Sequence, residues 1–300
     1  MDPRTTTRDK IETFAQTGVS RASLGVQDFD EKVQTAVNRV QSYDVICQIV
    51  NNLRLNGIQA LNIDLIYGLP HQTLETTQNT VDKTLSLNPD RISLFGYAHV
   101  PWMKPHQRHI KDADLPGKEE RIALSTHAKN LLLKAGYVPI VLDHFAKQND
   151  PLSKALQNKT LQRNFQGYTT DTVNTLIGMG ISSISSLSQG YVQNTSSNKE
   201  YSQRVQSGKL PIFRGYILSS GDKERREIIM SLMCYLSTRV DPLKYSDEIN
   251  LLKPYRESGD VFYQDEILTI SPKARKSLRI ITSVFDAYLS STAHLYSKAI

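Results

Sequence analysis

Apolar positions recur in two alternating rhythms along the first half of the chain. Val45, Ile46, Ile49, Val50 and Leu53 form one helical stripe, stopped by Gly57. Ala60 to Tyr67 is a compact aliphatic run, as in a parallel strand covered on both faces. The pattern predicts helices over residues 5–17, 30–40, 43–56 and 118–135. It predicts strands over 21–27, 60–67, 91–98 and 137–142. A further helix starts at the N-cap Thr73, with Val81 and Leu85 facing inward. Strand and helix alternate, which predicts an α/β fold class with a parallel sheet and helices packed outside.

Three strand ends fall at Gln27, Asp64 and Ala98, at intervals of 37 (64 − 27) and 34 (98 − 64) residues. Such intervals match single βα units of about 30 residues, so the three positions are expected to line one mouth of a barrel. Alternation makes Ser23, Gly25 and Gly96 their inward neighbours. Small inward residues leave room for a ligand where a filled barrel carries Val, Ile or Leu.

The second half reads differently. Residues 147–200 are rich in Asn, Gln, Ser and Thr and suit short strands. A helix with Ile228, Ile229, Leu232 and Met233 opens a separate module at Gly221. A turn around Glu257-Ser258-Gly259-Asp260 precedes a hairpin near residues 261–270 and a final helix over 272–289. Helices followed by a hairpin suggest a winged-helix-like module, but one with no clear basic recognition helix.

Composition narrows the class. The chain has 300 residues, 39% of them hydrophobic and 22% charged, which supports a real core. There is no apolar run of 18 residues and no apolar leader, so no membrane span or signal peptide is expected and the location expected is cytoplasmic. Net charge is +6, with basic and acidic residues interspersed. The densest cluster, Lys273, Arg275, Lys276 and Arg279, has the spacing of a solvated helix face. Nucleic acid is therefore not the expected partner, although charge alone does not choose.

Candidate chemistry centres on Asn62-Ile63-Asp64-Leu65-Ile66-Tyr67-Gly68-Leu69-Pro70. An acid inside an aliphatic strand costs free energy unless hydrogen-bonded. Near the carboxyl end of a barrel strand it reads as ligand binding or catalysis, and otherwise as the cap of a neighbouring loop. His99 and His144, both at strand ends, suit a proton donor or a structural histidine equally. The two cysteines, Cys47 and Cys234, fall in separate apolar helical runs and read as small buried hydrophobes. No spacing that binds an iron–sulfur cluster or other metal occurs.

Further stretches share this order: Gly25-Val26-Gln27-Asp28-Phe29 before Val33–Arg39, Tyr97-Ala98-His99, Asp143-His144-Phe145-Ala146, Arg163-Asn164-Phe165-Gln166-Gly167-Tyr168-Thr169-Thr170, and Gly178–Ile184. Together they resemble the oxygen-independent coproporphyrinogen III oxidases, radical S-adenosylmethionine (SAM) enzymes of haem biosynthesis. The resemblance runs from Asp2 to the C-terminus. It implies a partial radical-SAM (β/α) barrel lacking its first strands (residues 1–145), a barrel extension with a substrate-pocket segment (146–215) and a mostly helical, winged-helix-like domain (216–300) serving as a substrate lid.

The resemblance also implies a reaction. A 5′-deoxyadenosyl radical takes hydrogen from two propionates of coproporphyrinogen III, and each loses carbon dioxide to become a vinyl group, giving protoporphyrinogen IX. The implied cofactors are two SAM molecules and a [4Fe–4S] cluster whose Cys-x-x-x-Cys-x-x-Cys ligands this chain lacks. Gln27, Arg39, Asp64 and Ala98 match positions that hold the second SAM, and Ile184 one touching the first. His144, Arg163, Asn164, Gln166 and Tyr168 match a wall facing the tetrapyrrole. Arg39 has an alternative, a salt bridge to Asp28 or Asp30. The expected partners are coproporphyrinogen III, an electron donor of unknown identity and a companion chain carrying the rest of the barrel. The chain is expected to be incomplete and inactive alone. The other readings are the family's haem-carrier relative and a truncated product without function.

Overall fold

The computed structural model describes residues 1–289, which pack as two units, Met1–Lys154 together with Tyr288 and Leu289, and Ala155–Ala287. In chain order the first unit contains α1 (Arg8–Gln16), β1 (Arg21–Gln27), α2 (Glu31–Ala36), α3 (Tyr43–Leu55), β2 (Ala60–Tyr67), α4 (Leu74–Ser86), β3 (Arg91–Gly96), α5 (Lys118–Lys134), β4 (Tyr137–Ile140) and β5 (His144–Lys147). Helix α6 (Pro151–Gln157) comes next, at the boundary.

One five-stranded mixed sheet, ordered β1-β2-β3-β5-β4, organises this unit. β1, β2 and β3 are parallel, whereas β5 runs antiparallel to both β3 and β4. The wholly parallel sheet expected from the rhythm therefore stops at β3. Val141, with φ of 51°, begins a three-residue link between β4 and β5. So short a link closes a hairpin, while a parallel return needs a crossover of a dozen or more residues. Among the described residues β1 is an edge strand. Met1 lies along it, its amino group donating to the Ser23 carbonyl (2.6 Å) and its carbonyl accepting from the Gly25 N–H (3.1 Å).

The two faces of this sheet differ. Ala22, Leu24, Val26, Leu61, Ile63, Leu65, Ile92, Leu94 and Phe145 join Ile46, Ile49, Val50 and Leu53 of α3, Val81 of α4 and Ala128 and Leu132 of α5 in one core. Burying each of these Val, Leu, Ile or Phe side chains contributes about 1.5–3 kcal/mol. The opposite face of β2 carries Asn62, Asp64 and Ile66, all half-buried. So β2 is not covered equally on both faces; it alternates, with the acid on the less covered side.

Helix limits are set by the caps. Ser42 caps α3, and Thr73 forms a capping box with Thr76 at α4. The helix expected over 30–40 ends at Ala36, because Asn38 turns into the left-handed region (φ 52°).

The second unit contains β6 (Gln162–Asn164), β7 (Gly167–Thr169), β8 (Ile184–Leu187), β9 (Gly190–Asn194), α7 (Asn198–Gln206), β10 (Ile212–Ile217), α8 (Ser220–Tyr235), β11 (Ser237–Arg239), α9 (Ser246–Leu251), α10 (Lys253–Glu257), β12 (Val261–Gln264), β13 (Ile267–Ile270) and α11 (Leu278–Ser283). β6 and β7 pair as a hairpin, β10-β9-β8 form one antiparallel sheet and β11-β13-β12 another. The expected hairpin is β12–β13. The final helix expected over 272–289 is instead a 3₁₀ segment, Pro272–Ser277, leading into the short α11. No helix among the described residues is long and apolar enough to cross a membrane.

Candidate functional site

Strand pairing aligns a polar row on the less covered face of the first unit. Gly25 pairs with Asp64, Asp64 with Ser93, and Ser93 with His144. Paired residues of neighbouring strands project to the same side. One step toward the strand beginnings, Ser23 pairs with Asn62 and Asn62 with Arg91. Gly96 pairs with Tyr67, on the opposite parity to Asp64. It is therefore not an inward neighbour of this row. The chain leaves the strand at Gly96, so alternation no longer governs Ala98.

Asp64 is held by its neighbours. The Ser23 hydroxyl donates to Oδ2 (3.0 Å) and the Asn62 amide donates to Oδ1 (2.7 Å). A carboxylate offers about four acceptor positions, so both oxygens retain capacity. This is not the loop-capping role considered for the acid, since both donors are side chains of the sheet.

Gln27 and Arg39 converge beside Gly25. A bulge interrupts the β1–β2 register between Gly25 and Gln27, and Gln27 takes φ of 69°. A Cβ on Gly25 would lie 2.7 Å from Gln27 Nε2 and 3.0 Å from Arg39 Nη2, so any larger residue would push one or both side-chain ends from this position. Arg39 Nη2 donates to the Gly25 carbonyl at 2.8 Å, and Nη1 lies 3.6 Å from Asp2. Its ion-pair partner is thus Asp2, not Asp28 or Asp30. The side-chain hydrogen bond from Arg4, with Arg39 adding to it, holds the Asp2 carboxyl down at about 2. Arg39 Nε is buried with no hydrogen-bond partner among the described residues. An orphaned buried donor calls for a ligand or water.

Asp28, 1% exposed, ties this corner together instead of pairing with arginine. It accepts from the Asp30 N–H (2.7 Å), Gln72 Nε2 (2.6 Å) and the Thr80 hydroxyl (3.0 Å). Burial raises its pKa, against the pull of those donors. Gln72 also accepts from the Leu69 N–H and donates to the Ile66 carbonyl, shaping the turn in which Gly68 takes φ of 82°. Gln41 donates to the carbonyls of Gly25 and Val26, and Gln34 holds Gln41 in turn. Gln34 and Gln41 bond only backbone groups, and Gln72 bonds backbone groups and the buried Asp28, so no sequence motif marks them.

Ala98 lies beyond the end of β3, exposed, its carbonyl accepting from Gln107 Nε2 at 3.0 Å. His144 Nδ1 lies 2.7 Å from Asp143 Oδ1, and its ring meets Phe95 edge-on at 5.8 Å. His99 Nε2 lies 3.3 Å from Asp112.

The remaining candidates belong to the second unit. Arg163 and Tyr168 face each other across the β6–β7 hairpin, the guanidinium 5.5 Å from the ring centroid. The buried Tyr168 hydroxyl donates to the Met233 carbonyl at 2.8 Å. Asn164 Oδ1 accepts from the Gln166 N–H at the hairpin tip, and Gln166 is exposed. Ile184 is half-buried on β8, its carbonyl oxygen 2.8 Å from where a Cβ on Gly178 would fall.

The Radical SAM superfamily model matches residues 2–84, the stretch carrying Gln27, Arg39 and Asp64. The oxygen-independent coproporphyrinogen III oxidase of Bradyrhizobium diazoefficiens is 42% identical over all of this chain and 69% of its own length. Anaerobic coproporphyrinogen III oxidase 1 of Cereibacter sphaeroides is 38% identical over all of this chain and 68% of its own. The chain belongs to the oxygen-independent coproporphyrinogen III oxidase family. The solved coproporphyrinogen III oxidase of Escherichia coli, a radical SAM enzyme, superposes with a TM-score of 0.91 and 37% identity, covering 96% of this chain and 69% of that one. This family member therefore has the radical SAM α/β fold, with a mixed sheet.

Two groups used by radical SAM enzymes fit these residues differently. The carboxylate of Asp64, the amide of Gln27 and the orphaned donor of Arg39 suit SAM, which offers hydroxyls, an amino group and a carboxylate. A [4Fe–4S] cluster does not fit. Cys47 is half-buried on α3 and Cys234 is buried on α8, and no group of three potential metal ligands exists among the described residues.

Proposed function

We propose that this chain supplies the SAM-binding and substrate-facing portion of an anaerobic coproporphyrinogen III oxidase, the haem-biosynthetic enzyme that turns two propionates of coproporphyrinogen III into vinyl groups. The observation that carries the reading is the meeting of Gln27 and Arg39 at Gly25, whose strand partner is Asp64, with Arg39 Nε unsatisfied. Arg39 pairs with the SAM carboxylate, Asp64 accepts from its amino group or ribose hydroxyls, and Gln27 both donates and accepts. The backbone at the small Ala98 closes against the same ligand. Ile184 touches the SAM that is cleaved. When bound, SAM supplies the adenosyl group that hydrogen removal requires.

His144, fixed by Asp143, faces the tetrapyrrole, as do Arg163, Asn164, Gln166 and Tyr168. The basic balance of the chain suits a substrate with four carboxylates. We read β1, β2 and β3 as part of a (β/α) barrel and the module from Ser220 as a winged-helix-like lid. The cluster thiolates come from a further polypeptide segment or companion chain, and an electron donor acts with it in the cytoplasm. By itself the chain does not turn over substrate.

Calorimetric titration with SAM, followed by anaerobic assay of coproporphyrinogen III, tests this. We expect SAM uptake that falls at least tenfold in R39A, the scale of one lost charge-assisted contact. Turnover is expected only when a polypeptide bearing Cys-x-x-x-Cys-x-x-Cys is added. Tight stoichiometric haem binding without turnover in that complemented state would instead mark a haem carrier.

A further inference from the structure

Asp64 sits at the end of a hydrogen-bond chain that crosses three strands. The Ser93 hydroxyl donates to Asn62 Oδ1 at 3.2 Å. The Asn62 amide donates to both Asp64 Oδ1 (2.7 Å) and Ser23 Oγ (2.9 Å). Ser23 in turn donates to Asp64 Oδ2 at 3.0 Å. Ser23, Asn62 and Asp64 thus form a closed triangle, and Ser93 fixes the orientation of the amide. Every bond is directed toward the carboxylate.

A short acid on a strand has several rotamers, and the acceptor position it offers a ligand changes with each. Two donors on two different oxygens lock both its torsion and its plane. Asn62 is the one side chain that can do this from its place. Its two N–H groups serve Asp64 and Ser23, while its oxygen takes the proton of Ser93. An acid or an apolar residue there would break the triangle.

We infer that Asn62, supported by Ser23 and Ser93, is a positioning residue that presets Asp64 for its ligand. The inference rests on the reading that Asp64 contacts SAM. Groups that orient a binding residue through its back side contribute to affinity without touching the ligand. The same logic makes Ser23 partly replaceable, since threonine keeps the hydroxyl.

The test uses the full 300-residue chain, with SAM itself as the probe. N62L is expected to weaken SAM binding about tenfold, the scale of one charge-assisted hydrogen bond. S23A is expected to weaken it by a smaller factor and S23T to restore it. A crystal structure of N62L is expected to show Asp64 in a different rotamer. If D64N weakens binding while N62L and S23A leave it at the wild-type value, the positioning role is overturned and Asp64 remains a contact. If D64N has no effect, or the wild-type chain takes up no SAM, the reading of Asp64 as a contact falls. In that case the N62L structure still decides, because Asp64 unmoved in it overturns the positioning role. Should N62L fail to fold, S23A and S23T carry the same comparison.

Discussion

At the scale of single residues, burial separates groups that look alike in sequence. Cys234 is 3% exposed, and burial pushes its thiol up to about 11, with Arg163 pulling weakly the other way. Cys47 is half-buried on α3. Alkylation of the native protein at about pH 8 should therefore modify Cys47 and spare Cys234 until denaturant is added, because the thiolate is the reactive form. Equal labelling of the two peptides by mass spectrometry would contradict this. Asp28 gives a pH dependence. Its native pKa is raised above the usual 3.8, so the folded state holds the proton more tightly than the unfolded chain. That contribution is fully present below the usual value and is lost as pH rises through the raised native value. The advantage of wild type over D28N should be largest in acid and narrow toward neutrality, as followed by urea unfolding between about pH 3 and 7. An advantage that grows with pH would refute it. The acid at Asp64 was legible in the sequence because a charge in an aliphatic strand is conspicuous. Its holders were not. Ser23 bonds across 41 residues of chain, and Gln41 reaches the β1 bulge across 15. No local spacing encodes such partners.

Among elements, α1, α3, α4, α5 and the first three strands follow from periodicity, and α1, α3 and α4 also carry side-chain caps at Thr7, Ser42 and Thr73. The helices α6, α7, α9 and α10 carry no such periodic signal. Nor do β4 and β5 follow from it, because direction is set by the three-residue link, not by hydrophobicity. Register also lies beyond local pattern. A one-residue difference at β3 moves Gly96 off the face of Asp64 and puts Ser93 there. A buried ion pair ties the start of β3 to the residue just ahead of α6. Arg91 Nε lies 3.0 Å from each oxygen of Asp150, and Asp150 Oδ1 also accepts from the Leu152 N–H. Their side chains are only 10% and 6% exposed. D150A leaves the guanidinium buried without its charge partner, which costs about 3–5 kcal/mol. Denaturant titration of the variant checks this, and a loss below about 1 kcal/mol, the scale of a surface pair, would show that the pair is solvated.

For the 300-residue chain as a whole, the edge of the main sheet among the described residues is the feature expected to govern self-association. Among the described residues, β1 has β2 on one side and on the other only Met1, which bonds at Ser23 and Gly25. A strand with free N–H and C=O groups is a template for another chain. Arg21, exposed at its start, is the charge that opposes such pairing. One cation protects one end of a seven-residue strand, while the bulge near Gln27 twists the other. The middle depends on a single residue, whose two hydrogen bonds contribute about 0.5–1.5 kcal/mol each. Another strand pairing along the full edge forms more bonds than Met1 does and displaces it. The 300-residue chain should therefore self-associate as its concentration rises through the micromolar range, where exposed edges aggregate. Sedimentation velocity across that range tests it, with a rising weight-average coefficient expected. A single, concentration-independent monomer coefficient would mean that Met1 and Arg21 suffice to close the edge. The edge lies beside Gly25, where Gln27 and Arg39 meet, so whatever pairs with β1 also borders the candidate SAM site. A ligand bound there should consequently reduce the association, and adding SAM to the same runs separates edge pairing from non-specific collapse.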